Sequence, residues 1–277
     1  MTTFQKIIKY LAMAFAIFLS VSIIAGICSA LFTTTYFISG RPSGEMIERS
    51  VGSNYTSLKV DISASELEII TGEKFGLQTN HKYLECKEKG EILEINERKP
   101  FFSVFDSGMK VVLTIPDGTV FDNVDISAGA GSVTIDELSA NMLDIDLGAG
   151  ELKTGQLNAI DNTEIDGGAG SVTINGGSLN NADIDMGVGE LNLTSELFGK
   201  SSIDYGVGET NLVLIGEKDD YKIELDKGIG KAMIDGRKMS DDSVYGTGKN
   251  FIEIDGGVGE LNITFKEKTD EKGVDTI

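Results

Sequence analysis

Six aspartates occupy one place in a repeated phrase: Asp146, Asp166, Asp185, Asp204, Asp226 and Asp255 each stand two residues before a Gly-x-Gly pair. A second acidic column, Asp125, Asp144, Glu164, Asp183, Glu224 and Glu253, stands four residues before it. In an extended strand a spacing of two puts both columns on one face. Stacked at the strand spacing of about 4.8 Å, neighbouring carboxylates repel by roughly 0.9 kcal/mol in bulk water and by several at an effective dielectric of 20. Such a face attracts cations.

Calcium is the cation these oxygens suit, and GGAG and GGVG are similar to the calcium-binding nonapeptide of secreted toxins. That motif needs Asp two residues after its last glycine, where this chain has Val133, Leu152, Val172, Leu191 and Leu261, and it recurs every nine residues rather than nineteen. The plainer expectation is that each Asp accepts hydrogen bonds from backbone N–H groups at the glycine corner, as in Asx-turns. No cofactor is expected, and the six aspartates stand only as a candidate cation column.

Catalysis has little to build on. His81 is the only histidine and has no Ser or Cys arrangement beside it, so a structural or solvated role is expected. Cys86 in KYLECKEKG reads as a half-buried strand residue. Paired carboxylates could serve a polysaccharide-cleaving enzyme. Here, however, the acids are spread over every repeat and no Trp is available to stack on a sugar. A non-enzyme is expected.

The elements that position these residues follow from the repeat. The first glycines fall at Gly129, Gly148, Gly168, Gly187, Gly206, Gly228 and Gly257, in steps of 19, 20, 19, 19, 22 and 29, each followed two residues later by Gly131, Gly150, Gly170, Gly189, Gly208, Gly230 and Gly259. A period near twenty predicts an all-β solenoid, a single-stranded β-helix with 19–20-residue coils. Three residues before each first glycine lies an aliphatic column, Ile126, Ile145, Ile165, Ile184, Ile203, Leu225 and Ile254, which must point inward. Glycine is expected at a corner with positive φ or close backbone approach. Leu138, Leu157, Leu179 and Leu197 mark a second corner. The recurrence of SVTI at 132 and 171 and of EL at 151 and 190 leaves open a coil of twice the length, with its glycines on opposite faces.

Residues 54–124 read as irregular strands in which VDISASELEII is a glycine-free terminal rung, and ERKPFFSVFDSG (97–108) reads as a loop or cap over the open core. Residues 125–265 form the regular solenoid, its two longer steps implying surface insertions chiefly in 236–250. Residues 266–277 form a charged, fraying tail.

No charged residue occurs between Lys9 and Arg41, enough for a single transmembrane helix over residues 10–38, with 1–9 cytoplasmic and 39–53 a stalk. A cleaved signal peptide is the alternative, with an apolar run about twice the usual 7–15-residue core. A lipoprotein reading of Cys28 meets Ile27 where a small residue is wanted. Lys6 and Lys9 before the span predict the repeats outside the cell. All 44 acidic residues lie beyond position 40 against 22 of the 24 basic ones, which disfavours nucleic acid and anionic lipid as partners. Cys28 and Cys86 lie on either side of the membrane boundary and form no disulfide framework.

The stretch LTIPDGTVFDNVDISAGAGSVTIDELSA (113–140) and the later G-A-G and G-V-G copies resemble the bacterial toast-rack "putative adhesin" family, of unknown function, found on membrane-anchored surface proteins of Gram-positive bacteria. The resemblance runs over residues 50–265. It implies a cell-surface β-solenoid acting in adhesion or scaffolding, with wall polymer or a membrane protein as partner. It also implies a rival, envelope-stress regulation through a membrane partner, because relatives occur beside such regulators. Glu or Ser stands here where many members have Asp after the second glycine.

Overall fold

The computed structural model describes residues 44–97 and 108–268. The expected cytoplasmic segment and anchor, most of the aromatic stretch 97–108 and the end of the tail lie outside the described residues. Among the described residues no helix is long and apolar enough to cross a membrane.

Period-two alternation of apolar and polar residues produces strands throughout, and all join one sheet. They are β1 (Ile47–Arg49), β2 (Ser57–Ile62), β3 (Glu66–Gly72), β4 (Gly76–Thr79), β5 (Leu84–Lys89), β6 (Ile92–Glu97), β7 (Lys110–Pro116), β8 (Val120–Ala128), β9 (Ser132–Ile174), β10 (Gly177–Asn180), β11 (Ala182–Phe198), β12 (Lys200–Ile215), β13 (Tyr221–Asp226), β14 (Ile229–Ile234), β15 (Arg237–Lys238), β16 (Ser243–Gly246) and β17 (Asn250–Lys266). One 3-10 turn, Lys218–Asp220, precedes β13.

Equivalent repeat positions stack in parallel register. Ile184 lies between Ile165 and Ile203, and Gly189 between Gly170 and Gly208. Each regular coil from Ile126 to Ile203 therefore takes 19 or 20 residues, and the coil of double length is not formed. The aliphatic column from Ile126 to Ile254 is 0 % exposed, with Leu225 at 3 %. Two rows further inward-facing, such as Val133 with Ile135 and Leu191 with Leu193, complete the core.

The order of the coils is not the order of the sequence. β17 lies between β12 on one side and β13 and β14 on the other, so the repeat beginning at Gly228 is outermost and the last repeat is slotted in beneath it. The steps of 22 and 29 are thus not mere insertions. Residues 236–250 hold β15 and β16, which run antiparallel to β14 and β13 and return the chain to the skipped place. Asp235, Gly236 and Asp242 adopt positive φ in this return. The other end repeats the device: β2 lies between β6 and β8, and β3 between β7 and β9. VDISASELEII is therefore the second coil, not the terminal one, and β5 and β4 cover the true end antiparallel to β6 and β7. Short antiparallel strands with charged residues at both ends blunt the parallel edges.

The leucine column is also two files rather than one. Leu157 aligns with Gly177, whereas Leu179 aligns with Ala159 and with Leu197. A large side chain over a small one in each file conserves the local volume. The same logic explains the first glycine of the GG pairs, whose place faces inward. A Cβ on Gly167 would lie 2.2 Å from Met186 Sδ, and one on Gly256 would lie 2.2 Å from Tyr205 Oη. Aromatic clusters pack near both ends of the stack, Tyr55 with Phe75 and Phe121 at one, Phe265 with Tyr221 and Tyr245 at the other.

Candidate interaction face and the stack caps

Parallel register turns the two acidic columns into files. In spatial order Asp166, Asp185, Asp204, Asp255 and Asp226 follow one another on adjacent strands, beside Glu164, Asp183, Ser202, Glu253 and Glu224. Lysines meet these files only near the ends: Lys59 pairs with Asp125, Lys89 with Glu94 at 2.9 Å, Lys200 with Glu253 at 3.5 Å and Lys222 with Glu224 at 2.7 Å. Among the described residues Asp144, Asp146, Glu164, Asp166, Asp183, Asp185 and Asp204 make no ion pair.

Crowding shows in the proton affinities. Partial burial and then Asp185, which also shares a hydrogen bond with it, push Asp204 up to about 6. Burial followed by Asp146 raises Asp144 and Asp166 as well. Asp204 Oδ1 is shielded from solvent without a hydrogen-bond partner. Among the described residues no three metal-ligating side chains converge on one point; the carboxylates lie in rows.

The aspartates do not serve the glycine corner as expected. Only Asp226 accepts a corner hydrogen bond, from Gly228 N–H at 3.1 Å. The corner N–H groups instead donate to the preceding coil: Gly129 to Ile62 O at 2.9 Å, Ala130 to Ser63 O at 2.7 Å, Ala149 to Gly129 O at 2.7 Å and Glu151 to Gly131 O at 3.2 Å. At these corners the hydrogen bonds run one way, toward the preceding coil. This close approach is what excludes a side chain. A Cβ on Gly150, Gly170, Gly189, Gly208, Gly259 or Gly230 would lie 1.7 to 2.0 Å from the carbonyl oxygen of the equivalent glycine below it. First glycines such as Gly148, Gly168, Gly187 and Gly206 meet the same obstacle at 2.3 to 2.4 Å. Between the glycines, Ala149, Ala169, Val188 and Val207 form a half-buried apolar ridge that ends on the exposed Val258 and on Ile229, which is 68 % exposed.

A one-way file must leave N–H groups unpaired at one end and carbonyls at the other. Glu97 fills the first gap. Its Oε2 accepts from the N–H of Ser63 at 2.8 Å, Ala64 at 3.1 Å and Ser65 at 3.3 Å, and from Ser65 Oγ at 3.0 Å. Its Oε1 lies 3.5 Å from His81 Nε2, with the two side chains 1 % and 4 % exposed. Because His81 Nδ1 accepts from Tyr83 N–H at 3.0 Å, Nε2 carries the proton. His81 is therefore a buried structural partner. Ser65, Glu97 and His81 do not make a nucleophilic triad, since the hydroxyl donates to the carboxylate and meets no imidazole base. At the opposite end Lys227 Nζ reaches Gly228 O at 3.5 Å and Gly230 O at 3.3 Å.

Sequence reasoning missed Glu97 and Lys227. Glu97 stands 32 to 34 residues from the groups that it caps, and Lys227 differs from its equivalents only by being a lysine where Met186 and Tyr205 occur. Cys86 is half-buried on β5. Two depressions among the described residues are shallow: one lined by Thr71, Pro116, Thr119 and Leu138 holds about 10 Å³, and one over Gly167 and Met186 about 0 Å³. Neither admits more than a water molecule.

No curated protein matches the chain. Among solved structures, a putative adhesin from Bacteroides fragilis is 15 % identical, with 81 % of this chain and 100 % of that one covered and a TM-score of 0.36. A putative cell adhesion protein from Clostridium sporogenes is 21 % identical, with 81 % and 100 % covered and a TM-score of 0.33. A putative lipid binding protein from Parabacteroides distasonis is 12 % identical, with 82 % and 98 % covered and a TM-score of 0.29. The family model described as Toastrack DUF4097 matches residues 53–272, nearly all of the strands placed above, and the chain belongs to that family.

Proposed function

We propose that the chain is a non-catalytic surface module, tethered by the apolar stretch 10–38 with its strands outside the cell, that presents a rigid acidic face for adhesion or scaffolding. The observation that carries this reading is the pair of carboxylate files, held at strand spacing by parallel ladders and left without counter-charges along their middle. A preorganised field of one sign draws cationic partners and repels anionic ones. The shallow surface supports the same reading, because ligand sites of enzymes are concave.

Retention of the exterior part, residues 41–277, on purified cell wall but not on solubilised membrane is the expected result. Recovery of a membrane protein with no wall retention would replace adhesion by regulation through that partner. Loss of wall retention should follow when Asp146, Asp166 and Asp185 are changed together to Asn.

A further inference from the structure

The last part of the chain is tied to the stack twice, covalently at Gly216 and by one long ladder. β13 to β16 ladder among themselves and with β17, and β12 ladders with this group only through β17, with one further tie from Tyr221 Oη to Ile215 O at 2.6 Å. Residues 218–266 thus form a block with its own ladders, held to the body by the single ladder of Lys200–Ile215 on Phe251–Lys266. The covalent tie starts at the end of that ladder, where Gly216 N–H donates to Lys266 O at 2.9 Å. It leaves β12 at Gly216 and enters β13, one strand beyond β17. Gly216 has a φ of 132°, open to glycine, and Glu217, Lys218 and Asp219 are exposed.

The ladder is selective but carries like charges. Tyr205 on β12 occupies the space left by Gly256 on β17, and its hydroxyl donates to Lys227 O at 3.4 Å. At the place of Gly256, β11 and the chain before β14 present Met186 and Lys227, which would fill the space that the tyrosine needs. Across the same ladder Asp204 faces Asp255 and Glu209 faces Glu260. Against these stand the buried stacking of Ile203 on Ile254 and Leu212 on Ile263, the pair of Lys200 with Glu253, and a hydrogen bond from Asn262 Nδ2 to Asn211 Oδ1 at 3.2 Å.

We infer that this ladder is exchangeable between copies: the block 218–266 of one chain docks on β12 of a second copy while Gly216 and Glu217 act as the hinge. An exchanged pair uses the same contacts that close the single chain, so its population is set by concentration and by the hinge. The partner is a second copy of this chain, because the hole at Gly256 must meet Tyr205 with Asn262 on Asn211 in register.

The test uses the full chain in detergent with Cys28 and Cys86 replaced by Ser. One preparation carries Asn211→Cys and another, of distinguishable mass, Asn262→Cys; they are unfolded together, refolded over a range of concentrations and oxidised. A chain carrying both substitutions, refolded dilute, reports that the pair can close within one molecule. The expected result is a disulfide-linked heterodimer whose share rises several-fold with concentration. A mixture that stays monomeric at every concentration, while the double variant closes within one chain, overturns the inference.

Discussion

Glu97 and Lys227 terminate opposite ends of one hydrogen-bonded file. The carboxylate takes the N–H groups of Ser63, Ala64 and Ser65, and the ammonium takes the carbonyls of Gly228 and Gly230. Between them the first two glycine corners donate to the preceding coil, and the second-glycine carbonyls from Gly131 to Gly259 all point at the next coil. The signs are those that a helix favours at its two ends, anion on N–H groups and cation on carbonyls.

The two caps differ in burial, and so should their removal. Glu97→Ala leaves four donors without their acceptor, two of them on the buried Ser65, and is expected to cost about 3 kcal/mol. Lys227→Met removes a partly exposed group and should cost about 0.5 kcal/mol. Thermal melting of both variants checks the ratio; equal losses would mean that the buried end is not held by its carboxylate.

The glycine corners should divide sharply by what lies beneath them. Gly189→Ala places a Cβ 1.8 Å from Gly170 O at a φ of 145° and is expected to cost about 4 kcal/mol or more. Gly118→Ala, at a φ of 70° with nothing within 4 Å, should cost about 1 kcal/mol. Gly167→Ala meets only the flexible end of Met186 first, and Met186→Ala in the same chain should restore part of its loss. Melting curves of the four variants test the order.

The acid file should make the protein more stable in mild acid than at neutral pH. Burial and Asp185 hold Asp204 at about 6 when folded, above the ordinary value near 3.9 when unfolded. The folded state therefore binds the proton more tightly, and this group's contribution falls as pH rises from about 4 to 6, then stays flat. After allowance for solvent screening the effect is on the order of 1 kcal/mol, or about 2–4 °C in a domain of this size. Asp204→Asn should melt higher than the native chain at pH 7.5 and lose most of the difference between pH 5 and pH 7.5.

Ending the chain at Lys249 should release more than the residues removed. Without β17, the strands from Tyr221 to Gly246 have no ladder to β12. Hydrogen exchange across 221–246 is expected to approach that of unfolded chain while 120–200 stays protected. Retained protection of 221–246 would mean that these strands hold to β12 directly.

The coil itself was legible because an aliphatic residue at a fixed place and glycine at two others recur seven times, and period-two alternation decides which side faces inward. The order of the coils was not. Every repeat offers nearly the same edge, so EIDGGVGELNIT at 253–264 fits after Ile203 as well as ELDKGIGKAMID at 224–235 does. Only the pairing of Tyr205 with Gly256 and the antiparallel return through β15 and β16 decide between them, and neither is a local signal. The acidic face was likewise visible as two columns, whereas its bare middle and lysine-paired ends emerged only once Lys59, Lys200 and Lys222 were placed beside it. Glu97 and His81 were hidden for a different reason, being brought to Ser65 only by the folding of β3 to β6, with no motif.

The stacking order is tested most directly by a pair of engineered crosslinks in a chain free of other cysteines. With β17 slotted in beside β12, Asn211→Cys and Asn262→Cys lie in register on adjacent strands, within the reach of a disulfide, whereas Asn211→Cys and Met233→Cys are separated by a whole strand. Rapid closure within one chain of the 211–262 pair and none of the 211–233 pair is the predicted result. Closure of 211–233 in place of 211–262 would mean that the coils follow sequence order, and would contradict this account.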